Sequence, residues 1–346
     1  MTRRELWLGA VAAAVESGNM EKAARLIEGE TRSGRVSAAV LAVRSRSGLF
    51  EKAFGRAASM DAVFLLASIT KPMTVCGVMV LADRGEVALH HPVARYIPEF
   101  RGAGREGVLV RHLLTHTSGL PDMLPENVEL RKRHASLAEF VAATCRTPLL
   151  FAPGTQVRYQ SMGILLAAEI AARVAGESFP DFLYKQVFRP LRMRHTSLGL
   201  GGRPISATML CQVEPASDWD WNSAYWRNLA SPWGGAHSTA RDVARFLDYF
   251  AHPGRSPLAP ATARSMITLQ TAGLGERWGL GWKLNDGKLA KGCSPAAFGH
   301  SGSTGTLCWC DPGDGRSFVL LTTRPAEHSA ATLLYPVSDL ATEKGV

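Results

Sequence analysis

The sequence predicts an α+β sandwich in which one antiparallel sheet, flanked by helices, is built from both chain ends and carries an inserted all-helical lobe. Two observations predict this fold class. Strand-like patterns fall in residues 36–55 and 278–322, whereas almost every periodic segment between about 86 and 265 has helical spacing. We therefore expect residues 1–85 and 266–346 to form a sheet domain, residues 86–265 to form a helical domain, and the active site to occupy the cleft between them.

The N-terminal part of the chain predicts a helix, a hairpin and a second helix. Residues through Ile27 fit an amphipathic helix that starts the fold. Val36 to Arg44 and Leu49 to Gly55 are strand-like runs, and the Ser- and Gly-containing turn between them favours a hairpin. An apolar helix then starts at Ser68 and stops at Gly85, with a proline in its first turn, where proline is tolerated.

The remaining elements follow the same two periodicities. The helical lobe contains four predicted helices, which are Leu137 to Thr144, Ser161 to Val174, Pro180 to Phe188 and Thr239 to Phe250. The second group of predicted strands comprises Trp278 to Leu284, Ala297 to His300, Thr304 to Cys310 and Ser317 to Thr322. A turn signal at Asp311 to Gly315 predicts a hairpin between the last two strands, and a final helix is expected over Ala330 to Ala341.

Composition narrows the class of protein. The 346 residues are 46% hydrophobic and 20% charged, as in an ordinary globular protein. The net charge is +9, but the arginines are scattered, and the one tight basic cluster, Arg131 to His134, is short enough to be a solvated surface face. No stretch approaches the ~20 apolar residues of a membrane span. We therefore expect that the protein acts on a small-molecule substrate, does not bind nucleic acid and has no membrane-spanning segment.

The cysteines and the N-terminus bear on the compartment. The six cysteines form no Cys-x-x-Cys pair, and Cys308 and Cys310 are two apart on a predicted strand, where a disulfide is unfavourable. Free thiols in a reducing cytoplasm are the simpler interpretation. The alternative is export, because Arg3-Arg4 followed by Leu6 to Val15 resembles a short twin-arginine signal, although Glu5 interrupts it.

The motif Ser68-x-x-Lys71 supplies the residue types of an activated nucleophile. On a helix, residues i and i+3 share a face, so the Ser68 oxygen and the Lys71 nitrogen lie within hydrogen-bonding reach. A serine hydroxyl is a poor nucleophile unless a neighbour takes its proton, and a lysine does so only when it is neutral. Burial near the positive end of a helix lowers the lysine pKa. The motif is common by chance, so other segments have to support it.

Two motifs for cofactors or metals are present but weak. Residues 102–107 fit Gly-x-Gly-x-x-Gly, yet they follow no predicted strand and lack a βαβ setting. His112 and His116 have the spacing of a zinc-binding helix, but Leu113 stands where a metalloprotease places its glutamate. We expect a structural hydrogen bond from His116, and neither a metal nor a cofactor.

Two later segments carry further reactive residues. Tyr159 and Ser161 stand two apart at the start of a long apolar helix. His300 lies on a predicted strand and is followed by Ser301 and Gly302, where a missing side chain would let a substrate backbone come close. Each pattern alone is a weak signal. The Ser68, Tyr159 and His300 motifs in this order are much less common by chance and together indicate one catalytic site.

With these three motifs in order, the sequence resembles the penicillin-recognising serine hydrolases, which include class C β-lactamases, D-alanyl-D-alanine carboxypeptidases and the esterases that share their fold. The resemblance covers most of the chain. Five further segments carry it, which are Val110 to Leu120, Phe151 to Thr155, Phe188 to Met193, Gly234 to Asp242 and Trp278 to Trp282. It implies a β-lactamase/transpeptidase-like fold and a serine nucleophile.

The resemblance also implies roles for individual residues. Ser68 would be the acylated nucleophile, and Lys71 and Tyr159 would share the work of taking its proton and returning it to the leaving group. The oxyanion hole would consist of the backbone N–H groups of Ser68 and Ser303.

Two departures from the family pattern bear on the substrate. Ser161 replaces the asparagine that lactamases and peptidases usually have in Tyr-x-Asn. His300 and Ser301 match the third motif, which is Lys-Thr-Gly in many β-lactamases and His-x-Gly in some peptidases, and a histidine is mostly neutral near neutral pH. Both changes weaken recognition of an anionic peptide or β-lactam, so hydrolysis of small or medium acyl esters is the leading hypothesis.

Aromatic residues crowd the segment before Gly234, namely Trp219, Trp221, Tyr225, Trp226 and Trp233. We expect some of them, Trp221, Trp226 and Trp233 in particular, to wall the acyl pocket and favour apolar substrates. Packing between the loop and the helical lobe is the competing interpretation.

Other functions stay open at this point. Within the enzymes, a D-alanyl carboxypeptidase, a D-aminopeptidase or a weak β-lactamase is the alternative. A non-catalytic, penicillin-binding-like sensor is the alternative from another class. An α/β-hydrolase esterase is excluded because no Gly-x-Ser-x-Gly pentapeptide occurs. The sequence does not determine the natural substrate, the acyl acceptor or the oligomeric state.

Overall fold

The computed structural model describes residues 3–343, with side chains from residue 18 onward. The strands in this part of the chain are β1 (Ala38–Ser45), β2 (Gly48–Gly55), β3 (Phe64–Leu65), β4 (Ser197–Leu198), β5 (Ala236–Ser238), β6 (Lys283–Leu284), β7 (Phe298–Gly302), β8 (Thr306–Asp311) and β9 (Arg316–Thr322). Six of them form an antiparallel sheet in the order β2-β1-β9-β8-β7-β6. The predicted sheet from both chain ends is therefore confirmed.

Helices, joined by loops and turns, make up the other regular elements of the described chain. The α-helices are α1 (Arg3–Arg32), α2 (Thr70–Asp83), α3 (Val110–Leu114), α4 (Asn127–Lys132), α5 (Leu137–Arg146), α6 (Met162–Ala175), α7 (Phe179–Leu183), α8 (Ala224–Leu229), α9 (Ala240–Ala251), α10 (Pro260–Met266), α11 (Ala326–Ser329) and α12 (Tyr335–Leu340). Short 3-10 turns cover Ala67–Ile69, Val93–Arg95, Arg105–Gly107 and Ile205–Ala207, and wider π turns cover Tyr184–Phe188 and Ala330–Leu334.

The main sheet is buried on both faces, which explains the nearly unbroken apolar run of β1. Successive side chains of a strand point to opposite faces. Accordingly, Ala39, Leu41 and Val43 join the apolar cluster that contains α1 and α12. The alternate residues of β1 join a second and larger cluster that contains α2, α6 and α9. The sheet thus separates α1 and α12 from α2, α6 and α9.

Several local predictions are confirmed, and two predictions that concern strands are wrong. Both predicted hairpins form, with Ser45 opposite Gly48 and Asp311 opposite Arg316. The predicted strand from Trp278 to Leu284 is mostly absent, because the backbone turns at Gly281 (φ +78°) and only the last two residues are strand. The second error lies in the helical segment, where β4 and β5 pair with β3 in a small second sheet.

The larger apolar cluster crosses the predicted domain boundaries. It contains Val40 of β1 and Met73 of α2 together with Leu166 of α6 and Phe246 of α9. Trp282 is fully buried within it, with its ring 5.6 Å from that of Phe246. The division into residues 1–85 with 266–346 and residues 86–265 stays a prediction.

Three remaining observations concern the compartment. No helix in the described part of the chain is long and apolar enough to cross a membrane. All six cysteines are unpaired, and five of them are buried. The side chains of the twin-arginine-like segment, residues 3–15, lie outside those that the structure describes, and its backbone belongs to α1.

Candidate active site

Ser68 lies in a tight backbone segment between β3 and α2. It belongs to the 3-10 turn Ala67–Ile69, so the α-helix predicted to start at Ser68 starts two residues later. Ala67 has a φ of +47°, which is unfavourable for a residue with a side chain. The hydroxyl groups of Thr304 and Thr306 donate to the carbonyl oxygens of Leu65 (2.7 Å) and Leu66 (2.9 Å). The β7–β8 region therefore holds the strained segment in place.

The Lys71 ammonium nitrogen contacts the Ser68 hydroxyl. Lys71 Nζ lies 3.0 Å from Ser68 Oγ and 3.0 Å from the carbonyl oxygen of Trp233. The side chain is 1% exposed, and this burial lowers its pKa to about 7. A large share of Lys71 is therefore neutral near neutral pH and able to accept a proton.

Tyr159 also contacts Ser68. Its phenol hydrogen-bonds with Ser68, and Lys71 Nζ lies 4.7 Å from the centre of its ring. Loss of solvation on burial raises the pKa of the phenol well above its ordinary value. The phenol therefore keeps its proton at working pH. Ser68, Lys71 and Tyr159, which are distant in sequence, are brought together at one point.

His116 supports the Tyr159 ring. Its Nδ1 accepts a hydrogen bond from the backbone N–H of Gln160 (3.2 Å), which confirms the structural hydrogen bond expected of it. The imidazole packs against Tyr159 and Trp278, with ring centres 4.8 and 4.3 Å apart. Burial holds its pKa well below the ordinary value, so it is neutral. His116 acts as an uncharged packing surface for the phenol.

His300 lines the same cavity and carries no charge. Its Nδ1 donates to the carbonyl oxygen of Ser301 (2.7 Å), which leaves Nε2 as a hydrogen-bond acceptor. That Nε2 is buried and has no partner among the residues that the structure describes. Burial lowers the His300 pKa to about 3. The site therefore lacks the permanent cation that many β-lactamases place here, as the sequence predicted.

The glycines near His300 make room for protein atoms, which is a second reason for glycine here besides the predicted approach of a substrate. A Cβ on Gly302 would lie 2.3 Å from both the Leu66 carbonyl oxygen and Thr306 Oγ1. A Cβ on Gly299 would lie 2.4 Å from the Cys308 carbonyl oxygen. Gly302 also lines the cavity beside the exposed Ser301. Its main structural effect is to let β7 approach the segment that carries Ser68.

Ser161 hydrogen-bonds with Asp122, a residue that was not predicted from the sequence. The Ser161 hydroxyl donates to Asp122 Oδ1 at 2.6 Å. Asp122 is exposed, lines the cavity and has no cationic partner among the residues described. Its charge favours the protonated form of Lys71 and so partly opposes the effect of burial. Only its position, two residues after the Val110 to Leu120 segment, marks Asp122 in the sequence.

The candidate residues surround a cavity of about 680 Å³. It is lined by Ser68, Tyr159, Ser161, His300, Ser301, Gly302, Ser303, Trp221, Trp226 and Trp233, among others. Trp226 and Trp233 meet edge to face, with ring centres 6.2 Å apart. Trp219 and Tyr225 contact Arg131 and His134 instead. The aromatic segment thus contributes both to the cavity wall and to packing behind it.

Arg131 also lines the cavity, contrary to the prediction of a solvated basic face over residues 131–134. Its three neighbours in that cluster are exposed, but Arg131 lies on the inner side of α4 and packs over the ring of Trp226 (4.1 Å). The helix is too short for its periodicity to reveal which side faces inward. No group of three or more His, Cys, Asp or Glu residues in the described chain is arranged to hold a metal ion.

Comparison with known proteins finds a family match and similar proteins. The family model described as Beta-lactamase matches residues 16–342. The chain is 30% identical to Esterase EstB of Burkholderia gladioli, with 86% of each protein covered. It is also 30% identical to Penicillin-binding protein 4 of Amycolatopsis lactamdurans, over 80% of this chain and 76% of that protein.

A solved structure shares the fold over almost the whole chain. It is described as EstCE1, a hydrolase with promiscuous acyltransferase activity. The TM-score is 0.78 at 20% sequence identity, with 96% of this chain and 100% of that chain covered. At this level of identity the likeness concerns the fold.

Proposed function

The chain belongs to the beta-lactamase family of serine hydrolases, and from this premise we propose that it hydrolyses small or medium carboxylic esters through an acyl-enzyme on Ser68. The observation that carries the proposal is the contact of Lys71 Nζ with Ser68 Oγ at 3.0 Å, made by a lysine whose pKa is lowered to about 7. Similarity to an esterase over 86% of the chain adds support.

The proposed acylation step uses the three contacting side chains. Neutral Lys71 accepts the Ser68 proton while the Ser68 oxygen forms a bond to the acyl carbon. The Tyr159 phenol donates its proton to the departing alkoxide as the ester bond breaks, and Lys71 returns a proton to Tyr159. Water then attacks the acyl carbon, and the proton transfers run in reverse: Tyr159 gives its proton to Lys71 and takes one from the water. The bond to the Ser68 oxygen breaks, Lys71 returns a proton to that oxygen, and the acid is released. The backbone N–H groups of Ser68 and Ser303, which both line the cavity, are proposed to bind the oxyanion.

The surroundings of Ser161 and His300 favour an ester over a peptide or a β-lactam. The Ser161 hydroxyl already donates to Asp122, so it is less free to bind a substrate amide. His300 is neutral and offers only an acceptor nitrogen. An ester needs neither an amide-binding group nor a cation at these two positions.

A panel of substrates tests the proposal. We expect turnover of p-nitrophenyl acetate and butyrate to exceed turnover of nitrocefin and of a D-Ala-D-Ala peptide. Faster release of D-alanine would favour the peptidase alternative, and faster opening of nitrocefin would favour a lactamase. One equivalent of p-nitrophenol per chain with no further release would favour the non-catalytic sensor.

The nucleophile is tested by Ser68→Ala. We expect this variant to be inactive on every ester of the panel, because the acyl-enzyme has no oxygen on which to form. The control is Ser59→Ala, which changes an exposed serine outside the cavity and should keep full activity. Normal hydrolysis by a folded Ser68→Ala protein would disprove the assignment.

A further inference from the structure

Arg131 is held rigidly in the cavity wall. Its guanidinium group packs over two indole rings, 4.1 Å from the centre of Trp226 and 5.1 Å from that of Trp219. Nη2 donates to the Trp219 carbonyl oxygen at 2.8 Å. Three contacts therefore fix the plane of the guanidinium group before any substrate arrives, which lowers the entropic cost of binding to it.

This cation has no carboxylate partner. In the part of the chain that the structure describes, no Asp or Glu lies within ion-pair distance of Arg131, and Nη2 is the one guanidinium nitrogen with a hydrogen-bond acceptor. Nε is buried without a partner. A partly buried arginine is usually paired, because desolvation of an unpaired charge is costly. The charge of Asp220 acts on Arg131 from beyond ion-pair distance, so the fold holds at the cavity a guanidinium group that no described carboxylate binds directly.

Other donors in the same wall are also unpartnered. Trp226 is 4% exposed and Trp233 is 2% exposed, both line the cavity, and the indole Nε1 of each is buried without an acceptor among the described residues. These tryptophans were expected to favour apolar substrates. Their ring faces, together with Arg131, form this part of the cavity wall, while the two indole N–H groups lie buried behind it.

We propose that Arg131 binds a carboxylate on the ester substrate, with Trp226 and Trp233 forming the aromatic walls of this subsite. The inference rests on the proposed ester hydrolysis and names its substrate class, which is esters that carry an acidic group away from the reacting bond. A guanidinium group matches the geometry of a carboxylate and forms charge-assisted hydrogen bonds with it. Asp122 lines the same cavity, but its charge acts on Lys71 and Tyr159.

Matched substrates test the subsite. The p-nitrophenyl monoester of glutaric acid carries a free carboxylate, and p-nitrophenyl pentanoate has the same chain length without it. We expect the wild type to have the higher kcat/KM for the glutarate ester. Arg131→Met should lower the ratio of the two kcat/KM values by about tenfold or more, mostly through KM, since a hydrogen bond to a charged group is lost. Any loss of kcat/KM for the pentanoate ester should be smaller than the loss for the glutarate ester.

Two further variants serve as controls. Lys132→Met removes the same charge from the exposed neighbouring position on α4 and should leave the ratio unchanged. Arg131→Lys keeps the charge and should keep part of the preference. An unchanged ratio in a folded Arg131→Met protein, or an equal loss on both esters, would overturn the inference.

A binding measurement separates this inference from the proposed function. In the Ser68→Ala background, titration with the glutarate monoester, followed by tryptophan fluorescence, should show binding that Arg131→Met weakens. If the wild type hydrolyses neither ester, the proposed function fails while this titration still decides the carboxylate subsite. Equal binding with and without Arg131 would reject the subsite even in an active esterase.

Discussion

Two features of the site act in opposite directions on the charge of Lys71. Its burial lowers the pKa to about 7, whereas the negative charge of Asp122 favours the ammonium form. Because proton transfer is most effective when the pKa of the base lies near the working pH, the two influences together bring Lys71 into a useful range. Asp122 is therefore relevant to the proposed reaction without touching Ser68 in the described contacts.

The pH profile of ester hydrolysis should follow Lys71. Only neutral Lys71 accepts a proton, so kcat/KM should rise with pH through about 7 and level off above it. Asp122→Asn keeps an oxygen that can accept from Ser161 but removes the charge. The neutral lysine should then prevail at lower pH, and the rising limb of kcat/KM against pH should move to lower pH.

The control for this profile is Glu126→Gln, which removes an exposed negative charge that does not shift the Lys71 pKa. It should leave the limb in place. A limb that stays fixed in Asp122→Asn, or moves to higher pH, would show that another group governs the profile.

Only some residues of the candidate site are predictable from the sequence. Ser68, Lys71 and Tyr159 carry short motifs with a chemical rationale, and the structure brings their side chains together. Arg131 and Asp122 carry no motif. Their position at the cavity depends on how α4 and the loop before it pack against distant tryptophans, which a local pattern does not encode.

At the scale of elements, the close approach of β7 to the Ser68 segment sets the geometry of the site. Gly302 allows this approach, since a Cβ there would overlap the Leu66 carbonyl oxygen. The same strand carries His300 and leads to Ser303, which both line the cavity. A small displacement of β7 would therefore change several contacts of the site at once.

Gly302→Ala should test this dependence. Because the overlap is with backbone, we expect the free energy of unfolding to fall by about 1–3 kcal/mol and kcat for p-nitrophenyl butyrate to fall as well. Urea unfolding and steady-state kinetics measure the two effects.

The matched control is Gly18→Ala in α1, where a Cβ meets no atom within 4 Å. Here we expect a gain of about 0.5–1 kcal/mol, because alanine favours a helix interior, and unchanged kcat. If the two variants had equal stability and activity, the packing argument for Gly302 would be wrong.

The elements that were not predicted correctly are either very short or interrupted at a single residue. β3, β4 and β5 have two or three residues each, and such lengths show no measurable alternation. The long helices α6 and α9 and the two hairpins were predictable because their periodicity or turn chemistry is local. The strand predicted over residues 278–282 does not form, because the backbone turns at Gly281, next to Val75 of α2.

At the scale of the whole molecule, one apolar cluster connects the sheet with the central helices. It includes Trp282, whose ring contacts Phe246 and Phe250 of α9 and Phe298 of β7. Large buried aromatic contacts of this kind couple the stability of the elements that share them. The cavity therefore lies between parts that stabilise each other.

This coupling predicts a single unfolding transition. We expect urea curves from tryptophan fluorescence and from far-ultraviolet circular dichroism to coincide, and a fragment of residues 86–265 to lack fixed tertiary structure when expressed alone. Two separate transitions, or a folded fragment, would instead favour independent domains at the predicted boundaries.

The threonine contacts that hold the Ser68 segment also bear on synthesis of the protein. Thr304 and Thr306 donate to the backbone just before Ser68, although they are translated about 240 residues later. During translation, Ser68 leaves the ribosome before the two threonines that hold its backbone segment. Chains that stop before residue 304 should therefore lack the proposed ester hydrolysis, which should begin only after Thr304 and Thr306 have left the ribosome.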